Sequence, residues 1–321
     1  MNKIKIVSFF VILFTISTGF SQSTITIKNV NINTKNSDFG IAKYKDNKVV
    51  FASTQKERRL FKRRWKPNMQ PYLDLYQGDI IDSTKSIENV IPFSKTINTK
   101  YHESSVAFSS DYTTVYFTRD NYINGKLGKS SASDNKVVLK LYKATNTNGS
   151  WSNIEELPFN SDNYSVGHPT ISSDGKKLYF ISNMPGSFGE TDIFVVDILA
   201  DNSYSAPKNL GKEINTVGKE MFPFVDENNV LYYSSNGKED GLGGLDIYSS
   251  IITNNNYSTP INLGNPINSI SDDFAFIKSK NLDEGYFSSN RYGGKGDDDI
   301  YFYKGKLHEV VKEACKIKLK G

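Results

Sequence analysis

One strand pattern recurs five times along this chain, and that recurrence limits the possible folds more than any other feature. It reads KVVFAST from Lys48, TVYFTRD from Thr114, KLYFISN from Lys177, VLYYSSN from Val230 and EGYFSSN from Glu284. Each copy follows a short alternating segment (DFGIAKY, SSVAFSS, GHPTISS, EMFPFVD, DDFAFIK) and precedes a third run (YLDLYQG, VLKLYKA, TDIFVVD, LDIYSSI, DDIYFYK). A fourth element closes each unit on an apolar residue, an asparagine and a small hydroxyl residue. The five asparagines are Asn33, Asn98, Asn160, Asn215 and Asn268, spaced 65, 62, 55 and 53 residues apart. Short alternating runs bounded by turn residues indicate strands, and no 3.6-residue apolar period is visible. Four short antiparallel strands per unit, repeated radially, describe the blades of a β-propeller. A pair of β-sandwiches gives no reason for five matched copies. The expected fold is therefore all-β, a five-bladed β-propeller of four-stranded antiparallel blades over residues 22–304.

The order of the elements predicts how the ring closes. The chain begins on a fourth-strand copy, IKNVNINT, and its last unit stops after a third strand. Thr24 to Thr34 is expected beside Ile300 to Lys304, completing the last blade. An open ring would leave unpaired backbone edges that invite aggregation.

Residues 1–21 have the anatomy of a secretory signal: Lys3 and Lys5, an apolar run from Ile6 to Phe20, and small Gly19 and Ser21 before the cut. The run is short for a membrane anchor and polar residues follow it at once. The expectation is an exported protein, in the periplasm or at the outer-membrane periphery, with no transmembrane span. The formal charge of +4 becomes +2 once Lys3 and Lys5 are lost, a balance that predicts neither nucleic-acid nor membrane binding. Cys315 is the single cysteine, so no internal disulfide can form. At the other end, KLHEVVKEA places Leu307, Val310, Val311 and Ala314 on one helical face. Residues 305–321 thus read as a short C-terminal helix and the start of a truncated linker or next domain.

A residue repeated in every blade should hold the blade, whereas a catalytic site should break the repeat. Asp74, Asp192, Asp246 and Asp299 recur at the start of third strands, with Lys140 in the second unit, and read as structural. GGKGDDDIY, Gly293 to Tyr301, offers Asp297, Asp298 and Asp299 as a weak calcium candidate. Its single copy fits better a glycine-rich turn, like GLGGLD and GSFGETD. No metal and no cofactor is expected. Acids also stand at or near the start of innermost strands: Asp38, Glu103, Glu220, Asp272 and Asp273. Five-bladed glycosidases place carboxylates there, so Glu103, Glu220 and Asp273 define the enzyme alternative, a secreted glycoside hydrolase-like propeller. His102 and His168 lack metal-ligand spacing, and no Gly-x-Ser-x-Gly elbow occurs.

Symmetry breaks in two insertions between second and third strands. Thr54 to Pro71 carries seven basic residues, and Asp120 to Val137 is the corresponding loop of the next unit. Arg58, Arg59, Phe61, Lys62, Arg63, Arg64, Trp65 and Lys66 combine arginines with aromatic residues, as binding hot spots do. The competing reading is a solvated basic loop with Trp65 packed on the blade edge.

YHESSVAFSSD, DNYINGK, LKLYKATNTNGSW, NIEELPFNSDNYSVGHP, EMFPF, GLGGLDIY and SSNRYGGKGDDDIY together resemble the WD40-like propeller of exported OmpA-family cell-envelope proteins. The resemblance covers roughly Ile25 to Tyr303. In that family a propeller precedes a β-sandwich and a peptidoglycan-binding OmpA domain, and some members are periplasmic parts of type IX secretion and gliding machinery. The resemblance implies a non-enzymatic scaffold whose partners are envelope proteins or an outer-membrane complex. Peptidoglycan binding would follow only from a downstream OmpA domain, which this sequence does not contain.

Overall fold

The computed structural model describes residues 25–54, 70–123, 126–127, 137–280 and 283–307. The signal segment, the basic stretch Arg58 to Lys66, most of Asp120 to Val137 and all but residues 305–307 of the segment expected to hold the C-terminal helix lie outside them.

The second strand of each blade is buried almost throughout, as in Lys48–Ser53, Lys177–Ser182 and Val230–Ser235. A strand covered on both faces reads as a continuous apolar run, and this is why the five YF-type segments stood out in the sequence. Around them the chain forms five antiparallel blade sheets, besides a two-stranded ribbon of Tyr122–Ile123 and Lys126–Leu127. Blade 1 comprises Asp38–Tyr44, Lys48–Ser53, Asp74–Ile81 and Ser86–Pro92. Blade 2 comprises Glu103–Phe108, Thr114–Asp120, Leu139–Thr147 and Ser150–Glu156. Blade 3 runs Val166–Ile171, Lys177–Ser182, Asp192–Asp197 and Lys208–Asn209. Blade 4 runs Glu220–Val225, Val230–Ser235, Asp246–Thr253 and Ile261–Asn262.

Blade 5 takes three strands from the end of the chain, Asp273–Lys278, Glu284–Ser289 and Asp299–Lys304, and its outer strand, Thr26–Asn29, from the beginning. The closing register pairs Thr26 with Lys304 and Asn29 with Tyr301. The ring is a five-bladed propeller closed by its N-terminal strand.

The core is divided into five clusters lying between successive blades. One joins Val30, Ile32 and Ile300 of the closing blade to Val49 and Phe51 of blade 1. Another packs Phe159 and Phe180 beside Tyr116 and Leu141. No helix among the described residues is long and apolar enough to cross a membrane.

The asparagines that end each repeat act as inserted peptide groups. Asn98 accepts from Leu75 N (2.9 Å) and donates to Leu75 O (2.9 Å). Asn160 does the same to Leu141, Asn215 to Ile193, Asn268 to Ile247 and Asn33 to Ile300, at 2.7–3.0 Å. Each satisfies both polar groups of a third-strand residue where the fourth strand ends. The next residue couples that joint to the following blade. Thr99 bonds Glu103, Thr216 bonds Glu220 and Ser269 bonds Asp273 through backbone N–H and side-chain hydroxyl, and Thr34 N–H bonds Asp38.

Glycine-rich turns press on the same joints. A Cβ at Gly189 would lie 2.5 Å from Thr216 O, and one at Gly243 would lie 2.5 Å from Ser269 O. Neither separation is compatible with a side chain, so these glycines are required by close approach between blades.

Candidate functional site

Two regions emerge on opposite ends of the ring. Innermost strands begin, and second strands end, at what we term the turn face. Innermost strands end at the opposite face, where the central channel opens.

At the turn face, Glu103, Glu220 and Asp273 are fully buried. Each is held at its own joint between blades by the Thr or Ser bonds given above, and each has one further partner. Ser235 Oγ donates to Glu220 (2.7 Å), Arg119 pairs with Glu103 (3.0 Å) and Arg291 with Asp273 (2.5 Å). Burial pushes the Glu220 carboxyl above its usual range. Val166 takes the equivalent position in blade 3, paired with Ser182 as Glu220 is with Ser235.

The third-strand aspartates receive backbone N–H groups from the glycine-rich turns. Asp192 accepts from Phe188 N (2.8 Å) and Gly189 N (3.2 Å), Asp246 from Leu242 N, and Asp299 from Lys295 N and Gly296 N. Asp74 is half-buried opposite Ser53. Lys140, replacing the acid in blade 2, is buried and pairs with Glu156 and Asp162, both at 2.8 Å. Asp297 accepts from Gln70 Nε2 (2.6 Å), and burial pushes the Asp298 carboxyl up to about 6. Asp297, Asp298 and Asp299 are thus engaged separately. Among the described residues no group of three His, Cys, Asp or Glu is arranged to hold a metal ion.

The turn face also exposes large apolar side chains: Val217 at 82%, Ile270 at 89% and Tyr292 at 104%, with Phe188 and Leu242 about half exposed. Sequence reading did not single these out. Ile270 and Val217 sit two residues past the repeat asparagine, where every other position in the joint is bonded inward, and that periodicity was the available signal.

The channel is organised by a ring of five backbone irregularities. Each innermost strand shifts register once against its neighbour. At the shift stand Gly40, Ser105, His168, Phe222 and Ala275, all with φ between 40° and 70°. Non-glycine residues rarely occupy this region, and a bulge supplies the setting in which they do. The channel is blocked there by aromatic rings. His168 stacks on Phe222 with centroids 3.8 Å apart, Phe222 meets Phe274 at 4.9 Å, and Phe39 packs against both. Beyond this plug a cavity of about 230 Å³ opens between the innermost strands.

His168 is buried, and desolvation pushes its pKa down to about 3. The unfolded imidazole, near 6.5, therefore takes up a proton that the folded one refuses, and stability tied to His168 falls as pH drops below about 6.5. His168→Phe is expected to gain on the wild type by about 2 kcal/mol between pH 7 and pH 5. Urea midpoints for both proteins at each pH check this. Asp120 and Asp298, raised by burial to about 7 and about 6, titrate with the opposite sign but equally in both proteins. A difference that does not change with pH would exclude the assignment.

No protein-family model and no curated protein sequence matches the chain. Among solved structures, it is similar to an α-L-arabinofuranosidase from Lactobacillus brevis, at 11% identity and a TM-score of 0.53, over 86% of this chain and 92% of that one. It is also similar to an endo-arabinase from Bacteroides thetaiotaomicron, at 12% identity and a TM-score of 0.51, over 85% and 95%. At such identities the likeness is one of fold.

Proposed function

We propose that this propeller is a non-enzymatic protein-docking module of an exported cell-envelope assembly, working through its turn face. The observation that carries this reading is the apolar exposure on that face, where Val217, Ile270 and Tyr292 are the three most exposed large hydrophobic residues among those described. Large apolar groups exposed on one face of a protein are a mark of interaction sites. Gly189 and Gly243 press against Val217 and Ile270, so Phe188 and Leu242 extend the same surface. Gln70, which follows the basic stretch in sequence, is fixed at this face: it accepts from Ser37 N (3.1 Å) and donates to Asp297 (2.6 Å). By composition, the arginines and aromatic residues of Arg58 to Lys66 match docking hot spots. The resemblance to OmpA-family propellers supports an envelope setting.

The hydrolase alternative needs carboxylates that reach a substrate. Glu103, Glu220 and Asp273 are instead occupied by their own turns. Cross-linking in the native host is expected to lose its partner bands when Val217 and Ile270 become Lys and Arg58, Arg59, Arg63 and Arg64 become Gln. An unchanged partner set would remove the docking face. Release of reducing sugar from arabinan or another envelope glycan by the purified protein would remove the non-enzymatic reading.

A further inference from the structure

The cavity at the channel mouth lies on the end of the ring opposite the docking face, so its role is separate from that reading. Its walls are the C-terminal halves of the five innermost strands. Ala42, Val106, Phe224 and Ile277 make the sides apolar. Among the described residues, Lys43 and Lys278 are the only charged ones lining it. Each stands at or next to the end of its strand, and neither ammonium group forms an ion pair or hydrogen bond among the described residues. From outside the lining, Glu227 and Glu284 act on Lys43, and Asp226 acts on Lys278.

The floor holds two polar atoms without partners. Ser105 and His168 line the cavity, and their buried Oγ and Nδ1 atoms make no hydrogen bond among the described residues. Both belong to bulge residues with positive φ, 40° and 48°. Buried polar groups are nearly always bonded, so two orphans at one cavity floor point to a partner that arrives from outside the fold. Backbone strain at the same two residues agrees with a binding role.

We infer that this cavity binds a small organic carboxylate with a ring-sized apolar body and a hydroxyl at its far end. The carboxylate would meet Lys43 and Lys278 at the mouth, the body would lie along the apolar walls, and the hydroxyl would reach Ser105 Oγ and His168 Nδ1. A volume of about 230 Å³ admits a single substituted ring, since an apolar cavity of about 150 Å³ already takes up benzene. Apolar walls with a few convergent polar groups are the usual composition of small-ligand sites.

Calorimetric titration with 4-hydroxyphenylacetate tests the inference, with phenylacetate and tyramine as comparisons. Saturable binding is expected for 4-hydroxyphenylacetate, and binding about fivefold weaker for phenylacetate, which lacks the hydroxyl. Tyramine, cationic where the others are anionic, should not bind. Ser105→Ala should weaken 4-hydroxyphenylacetate about fivefold while leaving phenylacetate unchanged. Lys43→Gln with Lys278→Gln, at solvent-reaching positions, should weaken both anions about tenfold or more. No saturable heat with about 10 mM 4-hydroxyphenylacetate, equal binding of tyramine, or wild-type affinity in the double lysine variant would each overturn it. None of these results bears on cross-linking through the opposite face.

Discussion

A chain lacking Ile25 to Asn33 should lose its single cooperative unfolding transition. Four backbone pairs, from Thr26–Lys304 to Asn29–Tyr301, would vanish from the outer edge of blade 5. The loss extends beyond that edge, because Val30 and Ile32 are buried in the cluster that joins the closing blade to blade 1. Removing two large buried aliphatic side chains costs about 2–5 kcal/mol each. Asn33 leaves Ile300 N–H and C=O unpaired, adding about 1–3 kcal/mol for each group that stays buried. The sum is on the order of 10 kcal/mol, comparable with the whole stability of an ordinary domain. Calorimetry should show a broad or absent transition, and light scattering should show association through the exposed edge. A synthetic peptide spanning Ser23 to Thr34, added in trans, should restore the transition in a concentration-dependent way. Melting identical to the full chain would disprove the closure.

That closure was legible in the sequence because a repeat carries its own phase. Finding a fourth-strand copy before any first strand leaves one place for it. Blade number was legible for a related reason: each second strand is covered on both faces and must be apolar at nearly every position. The catalytic alternative was harder to judge from sequence. Glu103, Glu220 and Asp273 occupy equivalent places, but whether such acids face a channel or turn inward depends on bonds to Thr99, Thr216 and Ser269. Those bonds depend on joint geometry, which spacing does not reveal. The cavity was illegible altogether. Its defining residues, Gly40, Ser105, His168, Phe222 and Ala275, share a backbone conformation and no side-chain chemistry. No residue-type pattern could align them.

The repeat asparagines were visible as a motif, yet their work depends on a requirement that only one side chain meets here. Asn215 accepts from Ile193 N (2.8 Å) and donates to both Ile193 O (3.0 Å) and Asn209 Oδ1 (2.8 Å). It is 2% exposed, so water cannot replace it. Asn215→Asp keeps the shape but turns an acceptor toward two acceptors. At pH 7 the cost should be about 3–5 kcal/mol, from lost hydrogen bonds and a desolvated charge. The introduced carboxyl would have a folded-state pKa above its unfolded value near 3.9, so the folded protein would bind a proton first. Its penalty should therefore shrink as pH falls from 7 toward 4, because a protonated oxygen can donate once more. Asn215→Leu leaves Ile193 N–H and C=O unpaired, a cost that no proton can relieve. Denaturation midpoints at pH 7 and pH 4 separate the two variants, and an equal pH response would mean that donor placement is not what the site requires. Because Thr216 fastens the next blade through Glu220, the damage should also reach blade 4. Hydrogen exchange in Glu220–Val225 should then rise along with that in blade 3, whereas a defect confined to one blade would leave it protected.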